Sequence, residues 1–250
     1  MAAIHGGPGA AGEMAPVAKR LVSELSSGVL EPLQTATTLG GQVEELEESL
    51  RTEGDPPLTL IGFSWGAWLS LIVAANFPGI AERLIIIGSG PFEESYLDEL
   101  KRTRLNRLKE EEKGEFVSIV DKLQGSQAKE EDQLLRRLGQ LTTKTDQYDP
   151  LSQPEKKEPL DLRGELFRQV WKEADQLRSS GELLKIVGQV RCPVVAIHGN
   201  YDPHPSMGVR QPLSAALEDF KFITLENCGH KPWLEREARE DFYRLLESEL

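Results

Sequence analysis

The sequence predicts an α/β protein: a mostly parallel sheet flanked by helices, with one helical segment inserted. Three observations carry this. Five short apolar runs recur along the 250 residues, each closed off by Gly, Asn or Pro, as strands buried on both faces are. Stripes of helical period separate them. Charge is concentrated in the middle of the chain: residues 93–185 hold 21 acidic and 18 basic side chains, and the rest of the chain holds 20 and 11.

The elements follow in order. The strands are expected at Ala2–Ile4, Leu58–Ile61, Leu84–Ile87, Val194–Ile197 and Phe222–Leu225. Val29–Leu33 is a sixth, weaker candidate, because Pro32 limits its pairing. Met14, Val17, Ala18, Leu21, Val22 and Leu25 form one amphipathic stripe, and Val43, Leu46 and Leu50 a second. Gly66–Phe77 is apolar nearly all round, which predicts a buried helix. Leu234, Ala238, Phe242, Leu245 and Leu246 predict a closing helix. Strand, helix, strand in this order implies right-handed crossovers. Within residues 93–185 the stripes are narrow: Tyr96, Leu97, Leu100; Phe116, Ile119, Val120, Leu123; Leu134, Leu135, Leu138, Leu141. A Pro-rich loop is expected from Asp149 to Pro159, then a stripe of Leu162, Leu166, Phe167, Val170, Ala174 and Leu177. Thin helices, wet on the outside, would give this pattern. The domain division is therefore a core of residues 1–92 and 186–250 with an inserted helical segment at 93–185.

Composition excludes several functions. A net charge of −12 opposes phosphate backbones and anionic lipid, so neither nucleic acid nor a membrane is expected as a partner. No apolar run approaches the roughly 20 residues that span a bilayer. No basic segment precedes an apolar one at the N-terminus, so no secretory signal is read. Cys192 begins one expected strand and Cys228 ends its neighbour, a separation of about 20 Å at strand rise. That forbids a disulfide and fits reduced thiols in a cytoplasmic protein.

The chemistry resides in few residues. Gly62-Phe63-Ser64-Trp65-Gly66 joins the Leu58–Ile61 strand to the apolar helix. A serine there sits on a sharp turn that exposes Oγ above the sheet edge, with a helix N-terminus aimed at it. Such a serine needs a base. Of the four histidines, His230 lies in Asn227-Cys228-Gly229-His230, just past the last strand. Asp202 follows the Val194–Ile197 strand and is the expected orienting acid. The order Ser64, Asp202, His230 is nucleophile, acid, base. His5-Gly6-Gly7-Pro8-Gly9 follows the first strand, and its glycines leave backbone N–H groups open to a substrate oxygen. The N–H groups of Gly7 and Trp65 are the expected oxyanion donors.

With these motifs the chain resembles the α/β-hydrolase superfamily over nearly its whole length, and within it the prolyl iminopeptidase-like branch. The resemblance rests on His5-Gly6-Gly7-Pro8-Gly9, Ser64-Trp65-Gly66 and Gly199-Asn200-Tyr201-Asp202. It implies a Ser–His–Asp triad, a helical cap after the sixth strand of the usual fold, here residues 93–185, and no metal or organic cofactor. Two features depart from the branch. Glu31-Pro32-Leu33-Gln34 stands where Asp-Gln-Arg-Gly is usual. The chain starts at Met1-Ala2-Ala3-Ile4, so the first two strands of the usual fold are expected to be missing, through a minimal fold or a truncated N-terminus.

The expected function is hydrolysis of a small ester or amide through an acyl-enzyme, with the cap selecting a small-molecule substrate. An iminopeptidase-type aminopeptidase would use Glu93 and Glu94 to capture a free amino terminus. These two are also the alternative triad acids. A carbon–carbon lyase or an acyltransferase could share the triad, and a non-catalytic ligand-binding protein could share the fold. His204 is read as lining the pocket or facing water. His5 is read as bracing its loop, His198 as packing at a strand end, Trp65 as shaping a pocket and Trp68 as core. The sequence leaves the oligomeric state open.

Overall fold

The structure, a computed structural model, describes residues 1–25, 28–125, 131–151 and 164–250. Five strands pair in parallel in the order β1 (Ala2–Ile4), β2 (Leu58–Phe63), β3 (Ala81–Ile87), β4 (Val194–Gly199) and β5 (Phe220–Leu225). Register runs straight across the centre: Leu60 opposes Leu84, Leu84 opposes Val194, and Val194 opposes Phe220.

Alternation along the strands builds two cores. Ala2, Ile4, Leu60, Leu84, Ile86, Val194 and Ala196 share one face with α2 (Leu39–Glu53) and α3 (Trp65–Asn76). Ala3, Ile61, Phe63, Ile85, Ile87, Val195 and Ile197 share the other with α1 (Ala15–Leu25) and α10 (Arg239–Ser248). Burial of β2 and β4 on both faces explains why their sequences run apolar without alternation. Helix α3 is buried through all but its last residue, as its composition predicts.

Two sequence expectations need correction, and one helix goes beyond them. Val29–Leu33 forms no strand. Leu30 alone bridges the outer edge of β1, with Ala3 N–H donating to Leu30 O at 2.8 Å and Leu30 N–H to Met1 O at 3.1 Å. Pro32, lacking an N–H, cannot continue the ladder. The closing stripe is also broken: Pro232–Leu234 is a 3₁₀ turn, Glu235 is extended, and α10 begins only at Arg239. A helix not foreseen, α9 (Met207–Ala216), carries Pro212 and buries Val209, Pro212 and Leu213.

Between β3 and β4 lie a 3₁₀ turn (Glu94–Tyr96) and helices α4 (Leu97–Arg107), α5 (Glu110–Gly125), α6 (Glu131–Asp146), α7 (Gly164–Ser179) and α8 (Glu182–Val187). Leu108, Phe116, Ile119 and Leu141 make a small core of their own. Leu166, Val170 and Ala174 of α7 and Leu183 and Val187 of α8 instead join the main core. Helix α4 buries no residue. Residues 152–163, which include most of the expected Pro-rich loop and Leu162, lie outside the described residues. Among the described residues no helix is long and apolar enough to cross a membrane.

Candidate active site

Ser64 stands between β2 and α3 with φ 51° and ψ −112°, a backbone conformation that L-residues rarely adopt. Its neighbours explain the turn. A methyl group at Gly62 would overlap Gly66 O and lie 2.7 Å from Ser70 Oγ. One at Gly66 would overlap Ile4 O and lie 2.6 Å from His5 O. Only glycine fits at either position, and the second contact presses the His5–Gly9 loop against the start of α3. Gly7 and Trp65 therefore belong to adjoining backbone segments. As the first residue of α3, Trp65 has an N–H with no partner inside the helix. Among the described residues neither the Gly7 nor the Trp65 N–H donates a backbone hydrogen bond. Glu13 and Lys231 pair at 2.6 Å, joining the same loop to the His230 loop.

The structure brings His230 and Asp202 together: Nδ1 and Oδ2 are 2.7 Å apart, with both residues buried. A methyl group at Gly88 would lie 3.0 Å from His230 Nδ1 and 3.3 Å from Asp202 Oδ2. The Ser64 N–H donates to Ile87 O at 2.9 Å, and the Phe63 ring lies 4.8 Å from that of His230. Ser64 thus occupies the same sheet edge as the pair. Among the described residues no hydrogen bond joins Ser64 Oγ to His230.

Burial works to raise the Asp202 carboxyl, but the surrounding imidazoles of His230, His204 and His198 outweigh it and hold the group well below the usual carboxylate range. His204 does not face water, as one reading of the sequence allowed. It is 9% exposed, its Nδ1 lies 2.7 Å from Asp202 Oδ1, and burial pushes it down to about 4. His198, buried at the end of β4, donates from Nε2 to His204 O at 2.9 Å.

His5 is fully buried, with Nδ1 2.9 Å from Gly6 O, and its own carbonyl accepts from Gln34 Nε2 at 2.9 Å. Glu31 accepts the Met14 N–H at 3.2 Å. Glu31 and Gln34 therefore tie down the start of α1 and the glycine loop. Glu93 and Glu94 are exposed beside the 3₁₀ turn, and neither bonds to Asp202 or His230. Trp65 and Trp68 are both buried, and the half-exposed Trp171 of α7 stacks on Trp68 at 6.0 Å. Both cysteines are free thiols, and burial pushes each above its ordinary value.

Residues from the charge-dense segment reach this edge unforeseen. Arg104 of α4 pairs with Asp146 at 2.6 Å, the Asp146 carbonyl accepts the His230 N–H at 2.7 Å, and Arg107 donates to Thr145 O and Tyr201 O. Glu235 is fully buried and accepts the N–H groups of Gly229, Tyr148 and Asp149 at 2.8–3.0 Å. Its position inside an apolar stripe, where a charge has no solvated face, was the available signal. Nothing local marks Arg104 among 18 basic residues.

Comparison with known proteins agrees with this architecture. The model of the alpha/beta hydrolase fold family matches residues 25–237. Among solved structures, VinJ superposes with a TM-score of 0.65 and 19% identity, over 100% of this chain and 90% of that one. A proline iminopeptidase from Mycobacterium smegmatis gives 0.60 and 16%, over 99% and 88%. A membrane phospholipase A described as a bacterial virulence factor gives 0.59 and 21%, over 99% and 78%. The sequence matches none of the curated proteins.

Proposed function

Because the chain belongs to the alpha/beta hydrolase fold family, we propose that it is a serine hydrolase that cleaves a small ester or amide. The buried 2.7 Å bond between His230 Nδ1 and Asp202 Oδ2, at the sheet edge where Ser64 turns, is the observation that carries this reading. An ionised carboxylate only accepts, so the His230 proton sits on Nδ1 and leaves Nε2 free as a base. Ser64 Oγ attacks the substrate carbonyl carbon while its proton passes to His230 Nε2. The Gly7 and Trp65 N–H groups receive the oxygen that becomes negative. Collapse of the tetrahedral intermediate breaks the bond to the leaving group, which takes the proton from Nε2. Water, deprotonated by the same nitrogen, then releases the acid from Ser64. Asp202 stabilises the imidazolium at each step and holds its tautomer.

In the same reading residues 93–185 act as the cap that selects substrate. Trp171, on a helix that shares the main core, would offer the substrate an apolar ring. The test is mass spectrometry after a fluorophosphonate probe. A mass increase on Ser64 in the folded chain, absent in Ser64→Ala, is expected; an unlabelled wild type would falsify the mechanism. Turnover of prolyl anilide in preference to short-chain nitrophenyl esters would replace the esterase reading with the iminopeptidase one.

A further inference from the structure

Asp202 has two histidine partners. Its Oδ2 meets His230, and its Oδ1 accepts both the backbone N–H of His204 at 3.0 Å and the His204 Nδ1–H at 2.7 Å. The terminal torsion of an aspartate is broad, so a carboxylate held at one oxygen can still rotate. Donors on both oxygens fix its plane.

The same tautomer of His204 is favoured from the far side of its ring. Nε2 lies 3.4 Å from Nη2 of Arg104. A guanidinium only donates, so Nε2 must accept and the proton must sit on Nδ1. Arg104 is itself clamped: Nε lies 3.0 Å from Asp146 Oδ1 and Nη2 lies 2.6 Å from Oδ2, a bidentate pair. Thr145 Oγ1 donates to the same carboxylate at 2.6 Å, and the Asp146 carbonyl accepts the His230 N–H. The groups facing His204 are therefore Asp202, His230, His198, Arg104 and Asp146. Asp202, His204 and His230 also lie within 4.8 Å of one another, as ligands of a cation would. However, both carboxylate oxygens already hold N–H donors, and the positive Arg104 stands at the remaining nitrogen of His204.

We propose that Arg104, clamped by Asp146, is a positioning residue for the Asp202–His230 pair, acting by holding His204 as the Nδ1–H tautomer that locks the Asp202 carboxylate. The inference rests on the serine hydrolase reading, and it makes one edge of the reacting site a joint product of α4, α6 and the β4 and β5 loops. Neutral His204 fits this role, since burial holds it down to about 4.

The test uses the full chain with ¹⁵N-labelled histidine. Wild type is expected to show His204 as the Nδ1–H tautomer between about pH 5 and 9. Arg104→Met should give mixed tautomers, a kcat on short-chain nitrophenyl esters lowered about 10–100-fold at unchanged KM, and a displaced acid limb in the pH profile. Arg104→Lys should recover part of the loss. In a His204→Asn background, Arg104→Met should have no additional effect. An Nε2–H tautomer in wild type overturns the inference, and that measurement needs no variant to fold. So does an Arg104→Met chain that labels with fluorophosphonate at the wild-type rate and keeps the wild-type tautomer. If wild type shows the Nδ1–H tautomer but Ser64 takes no label, the hydrolase reading fails instead, and the network has no reaction to serve.

Discussion

Replacing Ser64 by glycine should make the protein more stable than replacing it by alanine, while both changes remove the proposed nucleophile. The reason is the backbone at residue 64, at φ 51° and ψ −112°. A residue with a Cβ held in such a region costs about 1–3 kcal/mol. Glycine escapes that cost but loses about 0.4–1 kcal/mol through the greater freedom of its unfolded chain. The net gain of Ser64→Gly over Ser64→Ala is then about 1 kcal/mol. For a chain of this length that raises the melting temperature by about 2–4 °C. Alanine is the proper baseline because neither variant has Oγ, so the comparison isolates the Cβ. Thermal melts of both followed by far-UV circular dichroism decide it. A glycine variant that melts at or below the alanine variant would refute the claim that this turn stores strain.

Two further outcomes follow from the loops. Glu235→Ala strands the N–H groups of Gly229, Tyr148 and Asp149, so stability in urea should fall by about 3 kcal/mol or more, with Glu235→Gln in between; a loss under about 1 kcal/mol would mean that water takes over these donors. His204, folded at about 4 against about 6.5 unfolded, lets the unfolded chain bind more protons between those values. Stability should therefore decline as pH falls from about 6.5 to about 4, by at most about 3 kcal/mol from this group. His204→Asn should flatten that slope, and an unchanged slope would assign it to other groups.

Strands at 58–61, 84–87 and 194–197 were legible because burial on both faces leaves them apolar but for Thr59. The meeting of His230 with Asp202 was legible for a different reason: parallel strands all end at one edge, so loops after separate strands converge. What escaped was set by single side chains. Pro212 and the polar residues beside it hid α9, whose buried face is only Gly208, Val209, Pro212 and Leu213. Glu235 broke a stripe that read as one helix, because its carboxylate serves a neighbouring loop and not its own. The second bond to Asp202 left a faint mark: in Asp202-Pro203-His204 the aspartate caps the N–H two residues on, a turn that short polar side chains favour. The ring contact to Arg104 left none, since it joins residues 100 positions apart.

Helix α4 buries no residue, and its Arg104 and Arg107 bond to Asp146, Thr145 and Tyr201, which bears on how far the segment can be exchanged between proteins. A chimera that replaced residues 93–185 with the equivalent piece of another chain would carry away Arg104, Thr145 and Asp146. It would leave the His230 N–H without its carbonyl and His204 without the cation that fixes its ring. On the proposed function, such a graft would alter turnover as well as substrate choice, and the segment would not be a detachable module. A transplant would have to carry α4 and the end of α6 over as native sequence and confine its changes to positions of α5 and α7 outside the two cores.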